Sequence, residues 1–278
     1  MLDSFFIELR RSPVLALAAA LILAAIAIAV LAPVLAPKDP NLQNLRATLA
    51  PPSAGFPLGT DEYGRDLLSR MIFGMRNSLI VGAAVVLLSG LIGAVLGISA
   101  GYFGGWLDMV VMRLADIMMA FPYLVLALGL IAALGAGIPS TIVALTVAFA
   151  PIYVRIVRSK VLVVKEEAYV EAARLIGVRP RTIAVRHVLP NVAGPMLVQG
   201  ALTFAFAVLA EASLSFVGLG VPPPAASFGN IIAAGRDHII DAPWIATSSG
   251  VAIVALVLSL LILADGLRDA IDPYQHRL

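Results

Sequence analysis

The sequence predicts an all-α, polytopic membrane protein with six transmembrane helices, and three observations carry that prediction. The chain is 60% hydrophobic and only 13% charged, with a mean hydropathy of +0.98, a balance found in chains whose main solvent is lipid. Its apolar residues fall into long runs, several of them able to cross a hydrocarbon layer of about 30 Å as a helix. Between two of these runs, one polar stretch from Glu166 to Asn191 carries Glu166, Glu167, Glu171, Arg174, Arg179, Arg181 and Arg186. A lipid-facing segment could not hold that many ionised groups, since each is expensive in hydrocarbon.

Met1 to Ser12 is short and polar, with Arg10 and Arg11 beside the first apolar run. Val14 to Ala36 is about 34 Å long as a helix, too long for the core of a cleaved signal peptide, so an uncleaved anchor is expected. Pro37 to Asn77 reads as a long external segment. Five prolines (Pro37, Pro40, Pro51, Pro52, Pro57) make its first half extended. In its second half, Leu67, Leu68, Met71, Ile72 and Met75 share a side, which predicts a helix lying in the membrane interface.

Ser78 to Ala100 is the second expected span. Gly90, Gly93, Gly97 and Gly101 form a stripe that lets another helix approach closely, with packing inside the chain favoured over a dimer face. Met109 to Leu134 is the third, kinked at Pro122, with Arg113 and Asp116 spaced to pair on one face. Ile138 to Val157 is the fourth and leads through Arg155, Arg158 and Lys160 into the polar stretch.

That stretch reads as helix, stop, helix. Tyr169, Ala173 and Ile176 recur at helical spacing, with Glu171 and Arg174 on the polar side. Gly177 ends the first helix, because glycine takes a left-handed C-terminal position without a Cβ clash. Pro180 opens the second, where its missing N–H is no loss. Ile183, Ala184, His187 and Val188 lie along one face, and Pro190 is expected to end it.

Val192 to Val217 is the fifth span, with Glu211 as its only acidic residue, about 9 Å from its end. Pairing with a basic or hydroxyl group is the favoured role of that carboxylate, with a place on the substrate pathway as the alternative. The following loop, with three prolines, is read as rigid and non-helical. Arg236, Asp237, His238 and Asp241 decorate it as solvated groups, and no metal site is expected from a lone histidine. Ala246 to Ala264 is the sixth span, followed by a polar tail.

Several strings also resemble a known family. Glu171-Ala172-Ala173, Gly177 six residues on and Leu189-Pro190 thirteen further resemble the EAA loop of ABC-type import permeases. One departure is His187, where the general pattern carries an aliphatic residue. PLGTDEYGRDLLSRMIFGMRNSL, AEASLSFVGLGVPPPAASFGN and GLRDAIDPYQHRL are similar to segments of the dipeptide, oligopeptide and nickel branch. The resemblance implies the type I importer permease fold, with residues 1–77 as an anchor helix plus external interfacial segment. Residues 78–278 would be a five-helix core carrying the coupling loop 166–191. It implies that Glu171, Ala172, Ala173, Arg174, Gly177, Leu189 and Pro190 contact an ATPase subunit. It further implies a second, related permease, separate ATP-binding subunits, an extracytoplasmic solute-binding protein, and transport of di- or oligopeptides, or of nickel or another small solute.

Several classes are excluded or disfavoured. Without cysteine there is no disulfide, thiolate metal site or cysteine nucleophile. The three lysines, 38, 160 and 165, never follow glycine as a P-loop requires, so the chain is not its own ATPase, and neither HExxH nor GxSxG occurs. No cofactor is expected, and the net charge of +2 with interleaved acids gives no nucleic-acid tract. An ion-coupled transporter or channel would need ionisable groups near the midplane and inverted repeats, whereas Arg113, Asp116, Glu211 and Asp265 lie near span ends. Arginine and lysine crowd the polar stretch and both termini, so the positive-inside rule puts all three in the cytoplasm of a prokaryote, with the chain in its cytoplasmic (inner) membrane.

Overall fold

A computed structural model describes residues 8–9 and 12–271. Arg10, Arg11, Arg277 and most of the polar tail lie outside the described residues. Among these there are five helices long and apolar enough to cross a membrane, or six when one sharply bent pair counts as a single span. The expected all-α, six-span architecture holds.

Helix α1 spans Pro13–Val30, started by Ser12, whose hydroxyl accepts the Leu15 N–H at 3.2 Å. A single further turn, Ala32–Leu35, follows. Its Ala25 packs with Ala205, Val208, Leu256 and Leu260 from two later spans, while Leu17, Leu23 and Val34 face outward, as a lipid-bathed anchor requires.

Helix α2 runs unbroken over Leu67–Phe103, about 55 Å. The separate interfacial helix expected around Leu67–Met75 is therefore the first part of a span. Its one-sided apolar pattern is satisfied by protein: Leu67 packs with Ile231, Ala242 and Ile245 and Met71 lies against the same cluster. Nothing between Leu67 and Ser78 breaks the helix.

Ahead of α2, residues 36–66 fold into a cap held by polar contacts. Asp61 accepts the Tyr63 and Arg65 N–H groups through Oδ1, and its Oδ2 pairs with Arg65 at 2.6 Å and with Arg70 at 3.4 Å. Arg70 also donates to the carbonyls of Pro40 and Pro224, so one buried guanidinium ties the segment before α2 and the loop after α7 to α2. Asp66 caps α2 at Ser69.

The glycine stripe of α2 packs on helix α5, Ile138–Val164. A Cβ on Gly93 would come within 2.2 Å of Tyr153 Cβ, and one on Gly101 within 2.9 Å of Val161 Cβ. Packing inside the chain, the favoured reading, is what the stripe does. Val81 and Val85 of α2 join Leu145 and Phe149 of α5 in the central core.

Between these helices lie α3, Gly105–Met119, and α4, Tyr123–Leu134, bent by 92° at their junction. Pro122 thus turns the chain through a right angle where a kink was expected, because α3 ends at Met119 and α4 restarts after the proline. Arg113 does not pair with Asp116. Asp116 faces α5 and takes Arg155 at 2.5 Å, while Arg158 binds Asp108 through both carboxylate oxygens and Arg113 is exposed.

After α5 comes the hairpin helix α6, Ala168–Leu175. Helix α7 then spans Pro180–Phe216, with a π-helical turn at Ala184–Val188. Pro190 does not end it. The Leu189 N–H reaches back to the Ala184 carbonyl, and this widened register leads into a proline that has no N–H and crowds the preceding turn. The next loop is not wholly non-helical: α8, Phe228–Arg236, starts at a capping box in which Ser227 and Asn230 satisfy each other's backbone. That Ser-x-x-Asn signal outweighs the prolines before it. Helix α9, Pro243–Ile271, closes the bundle.

The α2–α5 contact predicts a sharp asymmetry between glycines. Gly93→Ala should destabilise the purified transporter by at least about 2 kcal/mol through overpacking, seen as a lower thermal midpoint. Gly129→Ala, whose added Cβ meets nothing within 4 Å, should leave the midpoint unchanged or slightly raised.

Candidate functional site

The hairpin between α5 and α7 has its own apolar core. Val170 and Ala173 of α6 pack with Ile183, Val188 and Val192 of α7 and with Val157, Val161 and Val164 of α5. The buried stripe of α6 is therefore Val170 and Ala173. Tyr169 is half-exposed and Ile176 is 80% exposed, so the expected grouping of Tyr169, Ala173 and Ile176 on one side is out of phase by about one residue. Ile183, Ala184 and Val188 are buried as expected.

Gly177 adopts φ +78°. The Val178 N–H bonds to the Ala173 carbonyl and the Gly177 N–H to the Arg174 carbonyl, both at 3.0 Å. This paired closure is the Schellman motif, with Val178 returning to the hairpin core as its hydrophobic partner. Asn191 fastens the two arms by donating to the Tyr169 hydroxyl at 3.1 Å and to the His187 carbonyl at 2.6 Å. His187, the departure from the family pattern, lies with its ring 6.2 Å from that of Tyr169.

The predicted contact residues separate into two groups. Glu171, Ala172, Leu189 and Pro190 are exposed, whereas Ala173 is sealed inside the hairpin. Arg174 is exposed but turned toward α2, its guanidinium 5.1 Å from the Tyr102 ring. The sequence reading missed Leu175, which with its neighbour Ile176 makes a solvent-facing apolar tip, Leu175 at 82% exposure, and Val185, exposed on the other arm. The exposure of the tip follows from the phase of the buried stripe, Val170 and Ala173, which only the packing on α5 and α7 reveals.

Glu211 is fully buried at the opposite end of the bundle. Its carboxylate accepts the Ser78 hydroxyl from α2 and the Ser215 hydroxyl from α7, both at 2.7 Å. Ser215 Oγ in turn accepts the Val221 N–H at 2.9 Å, so the carboxylate joins two spans and the loop beyond α7. Hydroxyl pairing of this kind is what the favoured sequence reading expected of the carboxylate.

The fold and the hairpin define a multi-pass membrane transport subunit whose exposed tip is presented on a rigid support. Residues 93–276 match the family model of the binding-protein-dependent transport system inner membrane component, and residues 1–52 match the N-terminal TM domain of oligopeptide transport permease C. The chain belongs to this family of inner-membrane transport components. It is 46% identical, over 91% of its length and 85% of the relative's, to a putative peptide transport system permease protein of Brucella suis. It is 43% identical to the di/tripeptide transport system permease protein DppC of Pseudomonas aeruginosa, over 88% of this chain and 83% of that one. The probable D,D-dipeptide transport system permease protein DdpC of Escherichia coli is 38% identical over 95% and 89%. In fold, the chain is similar to a solved inward-facing MetNI methionine ABC transporter chain, with a TM-score of 0.53 at 24% identity over 74% of this chain and 97% of that one. The resemblance to ABC import permeases is borne out.

The Glu211 geometry yields a test. Glu211→Ala leaves two buried hydroxyl donors without an acceptor and should destabilise the complex by about 2–5 kcal/mol. Glu211→Gln keeps an acceptor and should fall well short of that in thermal melts. Transport of free-amine and N-acetylated peptides by the Gln variant should change equally. A selective loss of the free-amine substrates would place the carboxylate on the pathway instead.

Proposed function

We propose that this chain is one of two membrane-spanning subunits of an importer of di- or oligopeptides, driven by ATP that separate subunits hydrolyse. The observation that carries the reading is the apolar tip of the hairpin, Leu175 and Ile176, held out from a polar surface by a core shared with α5 and α7. Isolated exposed leucines are common, but a contiguous tip on a glycine-closed turn suits insertion into a partner's groove. The partners are an ATP-binding subunit at this tip, a second permease beside the spans, and an extracytoplasmic solute-binding protein over the cap. The peptide substrate is inferred from what the relatives' names say they transport.

In this reading, the hairpin is a handle. Its core includes Val157, Val161 and Val164 of α5 and Val188 and Val192 of α7, so displacing α6 loads both spans together. Helix α5 takes α2 with it through the glycine contact. Closure of the ATP-binding subunits would draw the hairpins of the two permeases together and tilt the spans from inward- to outward-facing. The chain supplies no nucleotide chemistry; it converts a displacement at one membrane face into a rearrangement at the other.

Two experiments test this. Gly177→Val puts a β-branched side chain at φ +78°, where no neighbour obstructs it but the backbone is strained. Substrate-stimulated ATP hydrolysis should fall at least about tenfold, the equivalent of 1–2 kcal/mol of strain in the turn, while membrane insertion is retained. Gly177→Asn, which tolerates the left-handed region, should retain most of it. Wild-type coupled turnover in the Val variant would remove the hairpin from the transmission path.

Sidedness follows from the arginine-rich hairpin. We infer that it is cytoplasmic and that the cap is external. The chain has no native cysteine, so single cysteines report cleanly. Ser53→Cys and Ile240→Cys, both at exposed positions, should react with an impermeant maleimide on intact cells, and Arg179→Cys should not. Labelling of the Arg179 position alone would invert the topology.

A further inference from the structure

Where α2 and α5 end side by side, a cavity of about 470 Å³ opens beside the hairpin. Tyr102 and Phe103 from the last turn of α2, Lys165 and Glu166 from the residues after α5, and Arg174 and Val178 from the hairpin line it. We propose that this pocket binds the phosphodiester headgroup of an anionic phospholipid.

Charge is the first argument. Lys165 and Arg174 take part in no ion pair among the described residues. The nearby Asp108 is already held by both nitrogens of Arg158. Glu166 is exposed at the rim, which leaves the pocket with two cations against one carboxylate. Arg174 is held over the Tyr102 ring, and Tyr102 packs edge-on against Phe103 at 5.3 Å. The guanidinium thereby lines the cavity. A guanidinium and an ammonium lining one pocket are a donor set suited to phosphate oxygens.

Position is the second argument, and it selects a lipid over a free anion. The pocket sits where two spans end, the level at which headgroups lie. Close in sequence to the lining residues Lys165 and Phe103, Val163 and Trp106 are exposed apolar residues, Trp106 at 74% exposure. Aromatic rings at this level belong to the interfacial belt of membrane proteins. An apolar flank continuous with a cationic mouth offers acyl chains and a headgroup their separate surroundings. Basic pockets between helix ends at the membrane surface bind such headgroups. Free phosphate has nothing to place on that flank.

The placement has a functional consequence. A lipid seated there touches α2, the α5 end and the hairpin at once, so it braces the handle against the span it moves. Arg174, expected from the family pattern to face the ATP-binding subunit, then serves the membrane side of the hairpin.

The test uses the assembled transporter with its partner subunits, in vesicles of phosphatidylcholine with or without a fifth of phosphatidylglycerol. After purification, phosphatidylglycerol retained per complex is counted by native mass spectrometry, and thermal midpoints are compared. The wild type should retain phosphatidylglycerol and melt higher in its presence. Lys165→Glu should lower retention by more than roughly fivefold, the loss expected from removing one positive charge near an anionic surface, since it also adds a negative one. Lys165→Arg should retain the lipid as the wild type does. Inorganic phosphate should neither displace the lipid nor raise the midpoint. Equal retention by wild type and Lys165→Glu overturns the proposal. So does protection by inorganic phosphate alone, which makes the pocket an anion site. So too does loss of the ATP-binding subunits from Lys165→Glu with retention unchanged, which makes it a protein seam. None of these readouts requires transport, so failure here is distinct from failure of the peptide reading.

Discussion

The approach of α2 to α5 is the constraint on which the other contacts depend. Lipid tails are as apolar as the side chains they meet, so burial of apolar surface drives helices together only weakly in the membrane. Association there rests on dispersion between closely fitted surfaces. Gly93, Gly97 and Gly101 let the α2 backbone sit against Tyr153, Val157 and Val161, and each missing Cβ is filled by a side chain of α5. The pair forms a spine through the bundle. At one end it carries the cap, tied to α2 through Arg70; at the other it carries the hairpin, whose core begins at Val157. What moves the hairpin moves the spine.

Polar groups reinforce this arrangement where it would otherwise be loose. The cap residues 36–66 have little regular structure, and buried ion pairs with Asp61 supply what a hydrophobic core would. Glu211 binds α2 to α7 through hydroxyls alone, with no cation. A carboxylate held this way is intolerant of losing a partner, yet it imposes one register on the helices that donate to it. Polar contacts thus fix the register at the cap end, and a small apolar core fixes it at the hairpin.

Most of the architecture was legible in the sequence because lipid imposes a simple code. Length and apolarity located the spans, glycine spacing located the close helix pair, and Gly177 announced its left-handed turn. Element boundaries were less legible where the decisive partner is distant in sequence. Leu67 to Met75 looks interfacial until Ile231 and Ile245 are seen against it. Asp116 is equally compatible with Arg113 and with Arg155, and only the α3–α5 contact decides. The π turn before Pro190 has no residue signature, since it is a register change in the backbone. In the hairpin, the glycine and helix stops were readable, but the phase of α6 was not. Alanines at 168, 172 and 173 fit either side of an amphipathic helix, and Val170 settles the matter only through its packing with α5 and α7.

The right-angle junction of α3 and α4 bears on how the subunit is made. Helix α3 runs about 22 Å from the hairpin end before it breaks. There Ala120, Phe121 and Pro122 are exposed, and the first N–H groups of α4 have no acceptor within their own helix. Hydrocarbon cannot solvate such backbone, which is tolerated only against protein or water. A newly inserted chain therefore needs protein or water over that backbone.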